Sequence, residues 1–173
     1  MTQNTIVLSP DLPMTDSATP TSNDVRRWVY TWFTMFEHRA EPRELVAHLT
    51  DGPLSMTFPG GEPLRNRSAF AAWYEDLLAN TTWNFHELTN ITVQATNTGT
   101  HPTFDVGLDI SWQGQIVEGS GWATNLPAGQ FRFEVHQQWQ VISQDGDALD
   151  DPFQIVNLVA TMKGTMDPTV FPA

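Results

Sequence analysis

The 173-residue chain contains no cysteine. Disulfides, thiolate nucleophiles and Cys-ligated zinc or iron–sulfur centres are therefore excluded together, and the redox compartment is left unconstrained. Basic residues are nearly as scarce: seven Arg and a single Lys, Lys163, stand against 20 acids, for a formal net charge of −12. Phosphate backbones and anionic bilayers would be repelled, so neither nucleic acid nor a membrane surface is an expected partner. Only Tyr30 and Tyr74 supply phenols. No apolar stretch approaches the roughly 20 residues a spanning helix needs. The first residues show no basic and apolar leader pattern, so a cytoplasmic location is expected. There is no internal repeat.

What the chain has is ring-rich apolar material. Hydrophobic residues make up 40% of it, with seven Trp and ten Phe, enough for one core of ordinary size. The Pro-, Ser- and Thr-bearing start reads as a loosely ordered tail over residues 1–21, followed by a single domain over 22–165 and a C-terminal tail over 166–173. Val25, Trp28, Val29, Trp32, Phe33 and Phe36 recur at helical spacing behind Ser22 or Asn23 as cap. Pro42 opens a short second helix running to Leu49. Leu54, Met56 and Phe58 alternate with polar residues as a strand that Pro59-Gly60-Gly61 ends. Phe70, Trp73, Tyr74, Leu77 and Leu78 mark a third helix capped by Asn66 or Ser68. The period then drops to two, and Trp83–Thr96, Thr103–Gln113, Phe131–Ser143 and Phe153–Lys163 read as four antiparallel strands. The stretch from Gly114 to Gln130 is too long for a simple hairpin. It either carries strand of its own or folds over a pocket mouth with Trp122 as a plug.

This element order, with the Val25 to Phe36 helix, the Leu54-x-Met56-x-Phe58 strand, Phe70-x-x-Trp73-Tyr74 and Trp83-x-x-His86-x-Leu88-x-Asn90-Ile91-x-Val93, resembles the nuclear transport factor 2-like superfamily and its SnoaL-like branch. The likeness runs from Asn23 to Gly164. It implies an α+β, cone-shaped fold in which a curved antiparallel sheet is covered on its concave face by three N-terminal helices that enclose one pocket. It also implies a homodimer paired through the outer sheet face. It fixes no reaction, because the superfamily includes polyketide cyclases, ketosteroid isomerases, scytalone dehydratase and proteins with no catalytic role.

His86 leads the candidate residues. The parity His86, Leu88, Asn90 sets it on a face with an apolar neighbour, and the resemblance puts it on the strand where scytalone dehydratase carries a catalytic histidine. A neutral imidazole in a dry pocket can accept a proton near neutral pH; otherwise the ring is a hydrogen-bonded core or surface histidine. Phe36-Glu37 resembles the dehydratase's adjacent tyrosine and aspartate, which implies that Glu37 orients His86 or a water; as a helix-end acid it is otherwise solvated. The match is partial. Phenylalanine stands where the phenol would be, and the third strand has no histidine. Tyr74, beside Trp73, is either the phenol that stabilises an enolate or a buried ring with its hydroxyl on backbone.

Trp28, Trp32, Phe36, Phe58, Trp73 and Trp83 are expected to line an apolar cavity. Gln137 and Asn157, amides interrupting apolar runs on the last two strands, either orient a ligand there or bond each other. Asp105 and Asp109 are expected on the outer sheet face, unless a slipped register turns Asp109 inward. Histidines lack metal spacing, and the acidic turn from Asp145 to Asp151 lacks the closing glutamate of a calcium loop, so no metal and no cofactor are expected. The expected function is a pocket for a small apolar or polycyclic molecule. The chain is either a cofactor-free isomerase, dehydratase or cyclase working through His86, Glu37 and Tyr74, or a non-catalytic binding or assembly module of the same fold.

Overall fold

The computed structural model describes residues 19–97, 101–121, 129–144 and 153–163. Most of the expected N-terminal tail, the C-terminal tail, Trp122 and the turn from Asp145 to Asp151 lie outside them.

Helix α1 (Ser22–Glu37) takes Thr21 as its cap rather than Ser22 or Asn23. The Thr21 hydroxyl accepts from the Asp24 N–H, and the Asp24 carboxylate accepts from the Thr21 N–H at 2.9 Å. That exchange needs an acid three residues beyond the hydroxyl, a spacing that neither Ser22 nor Asn23 has. The Thr21 hydroxyl also donates to the Asp24 carboxylate at 2.6 Å, and that bond, followed by the one from the Thr21 N–H, holds the Asp24 carboxyl below its ordinary range. Helix α2 (Pro42–Ala47) stops short of Leu49, which instead bridges to Ile155. Strand β1 (Ser55–Thr57) precedes α3 (Arg67–Asn80), where the Asn66 side chain accepts from the Ala69 N–H at 2.8 Å. Four long strands follow: β2 (Thr81–Asn97), β3 (Thr103–Ile116), β4 (Gly129–Ser143) and β5 (Phe153–Met162). β3 therefore continues three residues past Gln113, into the stretch left open by the sequence.

The strands form one curved, unclosed sheet in the order β1-β5-β4-β3-β2, antiparallel except for β1 beside β5. The architecture is the α+β cone expected, with the helices on the concave face. Alternation decides sidedness. On β3, Phe104, Val106, Leu108 and Ile110 are buried while Asp105 is exposed; on β4, Phe131, Phe133, Val135 and Trp139 are buried while Arg132 and Glu134 are exposed. Each large side chain so buried contributes about 1.5–3 kcal/mol.

Of the four register shifts in the sheet, two re-aim candidate residues. Register slips between Leu88 and Asn90 on β2, and β5 gains Val156 opposite the Gln140–Val141 step. One extra residue exchanges the faces of everything beyond it. Asn90 thus lies outside, with Ile91 and Val93 taking the inner face in its place. Asn157, Val159 and Thr161 likewise face out, and Leu158, Ala160 and Met162 face in.

The outer face carries a polar cluster. Asp109 accepts from His136 Nδ1 at 2.8 Å, from the Lys163 ammonium, and from Asn90 at 3.4 Å. The bonds from Lys163 and then His136 draw its carboxyl down to about 2. Trp83 and Phe85 are exposed on the same face, toward β2. Among the described residues, no helix is long and apolar enough to cross a membrane.

Candidate functional site

Between the helices and the concave sheet lies a cavity of about 390 Å³. Its helical wall is Trp32, Phe33 and Phe36 from α1 with Trp73 and Leu77 from α3. Phe58, Pro59 and Gly60 after β1 extend that wall, with Phe58 stacked on Trp73 at 4.0 Å between centroids and 6° between planes. Gly60 turns there with φ +75°, a conformation that side-chain-bearing residues resist. The sheet supplies Trp112, Phe131 and Phe133, then Leu158, Ala160 and Met162. Among the described residues, His86 and Gln137 are the wall residues with polar side chains other than indole.

His86 projects from β2 between rings: Phe33 at 5.0 Å, Phe36 at 5.9 Å, and Trp112 parallel to it at 6.1 Å and 3°. Its Nδ1 is buried without a hydrogen-bond partner, and the residue lines the cavity. Burial brings the imidazole down to about 3, and the ring is neutral at physiological pH.

Glu37 ends α1 beside this residue but meets it at the main chain. Its Oε1 accepts from the His86 backbone N–H at 3.1 Å. The reason is topological: β2 is the sheet's edge, so alternate N–H groups have no strand partner, and the helix-end carboxylate satisfies one. Asn84 does the complementary job two residues earlier, donating to the Phe36 carbonyl at 3.3 Å. Arg39 fixes the exit from α1 by donating to the Leu78 carbonyl at 2.6 Å. Together these contacts set α1 against β2 and hold Glu37 at His86.

Tyr74 lies elsewhere. Its ring is fully buried against Phe36 and Phe70, its hydroxyl has no hydrogen-bond partner, and it is not on the cavity wall. Desolvation pushes the phenol up to about 12.

Three of the expected lining residues are corrected. Trp28 is buried in the core behind the wall, its indole N–H donating to His48 Nδ1 at 3.1 Å. Trp83 falls on the outer face, 37% exposed, and donates to Gln115 at 3.2 Å. Asn157 is turned out by the Val156 bulge into a shallow polar groove with Gln138 and Gln140. Trp32, Phe36, Phe58, Trp73 and Gln137 do line the cavity.

Sequence reasoning missed Trp112, Phe131, Phe133, Leu158 and Met162. The first three were legible in parity: Trp112 continues Phe104 to Ile110 in steps of two, and Phe131 and Phe133 share the face of Gln137. The β5 pair was hidden by the bulge. Gln137 itself is oriented by its neighbour on the same face, since the Trp139 indole N–H donates to its Oε1 at 2.8 Å. Among the described residues, no three His, Asp or Glu side chains are grouped to hold a metal ion.

No family model matches the chain. No curated protein matches it either. Solved structures do. A scytalone dehydratase-like protein from Novosphingobium aromaticivorans superposes with a TM-score of 0.65 at 12% identity, over 86% of this chain and 88% of that one. The hexachlorocyclohexane dehydrochlorinase LinA-type3 from Novosphingobium barchaimii gives 0.63 at 13%, over 88% and 97%. A dehydratase-like protein of the nuclear transport factor 2-like family from Streptomyces avermitilis gives 0.64 at 17%, over 83% and 96%. At these identities what is shared is the fold.

Proposed function

We propose that this chain of nuclear transport factor 2-like fold is a small-molecule pocket protein that moves a proton on an apolar, ring-containing substrate without a cofactor, with His86 as the proton acceptor. One observation carries the reading: a neutral imidazole with a buried, unpartnered Nδ1 stands in the wall of a largely apolar, ring-rich cavity with a carboxylate fastened to its own amide.

The aromatic walls take a flat apolar molecule and exclude water. Burial keeps His86 in its basic form at any working pH but also makes imidazolium costly, so the empty site is a weak base. Glu37 offsets that cost. As a proton passes from a substrate carbon to Nε2 and the electron pair stays on the substrate, the carboxylate beside the His86 amide stabilises the imidazolium, and a side-chain rotation would bring it onto Nδ1–H. The neighbours' names, dehydratases and a dehydrochlorinase, fit eliminations begun by such a step. Tyr74 has no part in this reading, because its hydroxyl is enclosed in the core.

Exchange of the α-protons of 2-tetralone in D₂O, followed by proton NMR, tests it. The wild type is expected to exceed the buffer rate, and His86→Gln to lose roughly 100-fold or more of the excess. A wild-type rate equal to buffer, with 2-tetralone bound, would overturn catalysis in favour of a second reading, a binding module without a reaction. What favours that alternative is that Glu37 engages the main chain of His86 and not its ring.

A further inference from the structure

Indoles apart, Gln137 is the other polar side chain on the cavity wall among the described residues, and its orientation is determined. The Trp139 indole N–H can only donate, so the amide atom facing it at 2.8 Å must be the oxygen. The NH₂ group is then the end left for the cavity. Trp139 cannot easily yield, being 3% exposed with Trp28, Trp32 and Phe33 around it at ring distances of 6.4, 6.1 and 5.7 Å. A donor set into an apolar wall is costly until a ligand accepts from it.

Register fixes where this donor stands relative to His86. His86 pairs with Trp112, and Trp112 with Phe133; Gln137 lies four residues further along β4, opposite Leu108. On a flat sheet that offset would be about 13 Å along the strand and about 10 Å across two strands, before curvature and side-chain length shorten it. A molecule touching both groups must span more than one ring. Among the described residues no Arg, Lys, Asp or Glu lines the cavity, so a charged ligand would find no partner charge among them.

We infer that Gln137, held by Trp139, reads a hydrogen-bond acceptor at the end of the ligand remote from His86, and that the ligand class is a neutral, elongated ring system bearing a carbonyl-type oxygen. This rests on the cavity being the binding site proposed above and specifies what it selects. Gln137 is the specificity-determining residue, and Trp139 is a positioning residue acting through it.

The test is competition against the fluorescent neutral probe N-phenyl-1-naphthylamine, using 2-acetylnaphthalene, its isostere 2-isopropenylnaphthalene, which lacks the acceptor, and 2-naphthol, which offers a donor. The wild type is expected to prefer the ketone to the isostere by about five- to tenfold, the worth of one net hydrogen bond. Gln137→Leu should bring that ratio to about one. Trp139→Phe, which frees the amide to turn, should lower the ratio and raise the relative affinity for 2-naphthol, whereas a purely structural role would weaken all three ligands alike. Should Trp139→Phe fail to fold, Gln137→Glu, an acceptor of the same size, should invert the preference toward 2-naphthol. Equal binding of ketone and isostere by the wild type overturns the inference with the pocket intact. Failure of the probe and every ligand to bind overturns the pocket reading beneath it.

Discussion

Replacing His86 by Leu separates the two consequences of burying an imidazole. In the unfolded chain a histidine titrates near 6.5, whereas His86 in the fold is held down to about 3 by desolvation. Between those values the unfolded state binds the proton and the native state does not, so this group makes stability rise with pH. Its penalty is absent above about pH 7 and grows as pH falls through 6.5. With a native value this low, the loss between pH 7 and pH 5 is set by protonation of the unfolded chain alone, and comes to roughly 2 kcal/mol. His86→Leu removes it. Every other group is common to the two proteins and cancels in the comparison. Leu also removes a buried Nδ1 without a partner, a defect worth about 1–3 kcal/mol, so the variant should be no less stable at pH 7 and clearly more stable at pH 5. Urea unfolding at pH 5, 6 and 7, followed by tryptophan fluorescence, reads both effects. Parallel pH profiles for the two proteins would refute a neutral, desolvated imidazole, and with it the form of His86 on which proton transfer depends.

Tyr74→Phe should leave stability unchanged or raise it by up to about 1 kcal/mol, because the hydroxyl removed is buried and unpartnered. It should also leave 2-tetralone exchange at the wild-type rate; a loss of stability beyond about 2 kcal/mol would reveal a hydrogen bond the fold does not show. Gly114→Ala tests the sheet side of the cavity, since a Cβ there would lie 2.5 Å from Phe131 Cζ and 2.9 Å from the Trp83 carbonyl oxygen. The backbone oxygen cannot move far, so Phe131, which lines the cavity, would have to shift. The expected cost is about 1–3 kcal/mol in urea unfolding together with weaker N-phenyl-1-naphthylamine binding, and an unperturbed variant would contradict that packing.

The elements were readable because two periods dominate the chain. The α1 stripe and the alternation on β3 and β4 each encode one buried face, and the structure keeps those faces. What parity could not supply was the bulges. Asn157 shares alternation with Phe153 and Ile155 until Val156 intrudes, and nothing in Ile155-Val156-Asn157 announces an extra residue. Asn157 and Thr161 in one parity, with Leu158, Ala160 and Met162 in the other, are the trace the bulge leaves. Trp83 illustrates a different limit. Its ring satisfies every compositional criterion for a pocket, yet it sits on the opposite face of β2 from His86, as strand geometry requires of residues three apart. Glu37 was tied to His86 only through the family resemblance of Phe36-Glu37. Its attachment to the amide was not legible, because that depends on β2 being an edge, a property of sheet order.

Sheet order also accounts for where the charge went. Among the described residues no acid lies on the cavity wall, and Asp109 on the outer face is satisfied by Lys163 and His136. The two histidine settings are opposites on one sheet. His136 stands outside with a carboxylate on its Nδ1, while His86 stands inside with a carboxylate on its backbone and nothing on its Nδ1. An ion pair made inside would have to overcome the desolvation of both partners before any ligand arrived. Keeping the carboxylate on the amide leaves the interior uncharged at rest and defers the cost to the moment a proton reaches Nε2, when the positive charge appears beside an anion already in place. Under this reading, Glu37→Gln should keep the amide bond and the fold, because a carboxamide oxygen accepts from the same N–H, while slowing exchange of 2-tetralone toward the His86→Gln rate. If Glu37→Gln exchanged at the wild-type rate while unfolding at the wild-type urea concentration, the carboxylate's charge would be irrelevant and Glu37 would be no more than a tie between helix and edge strand.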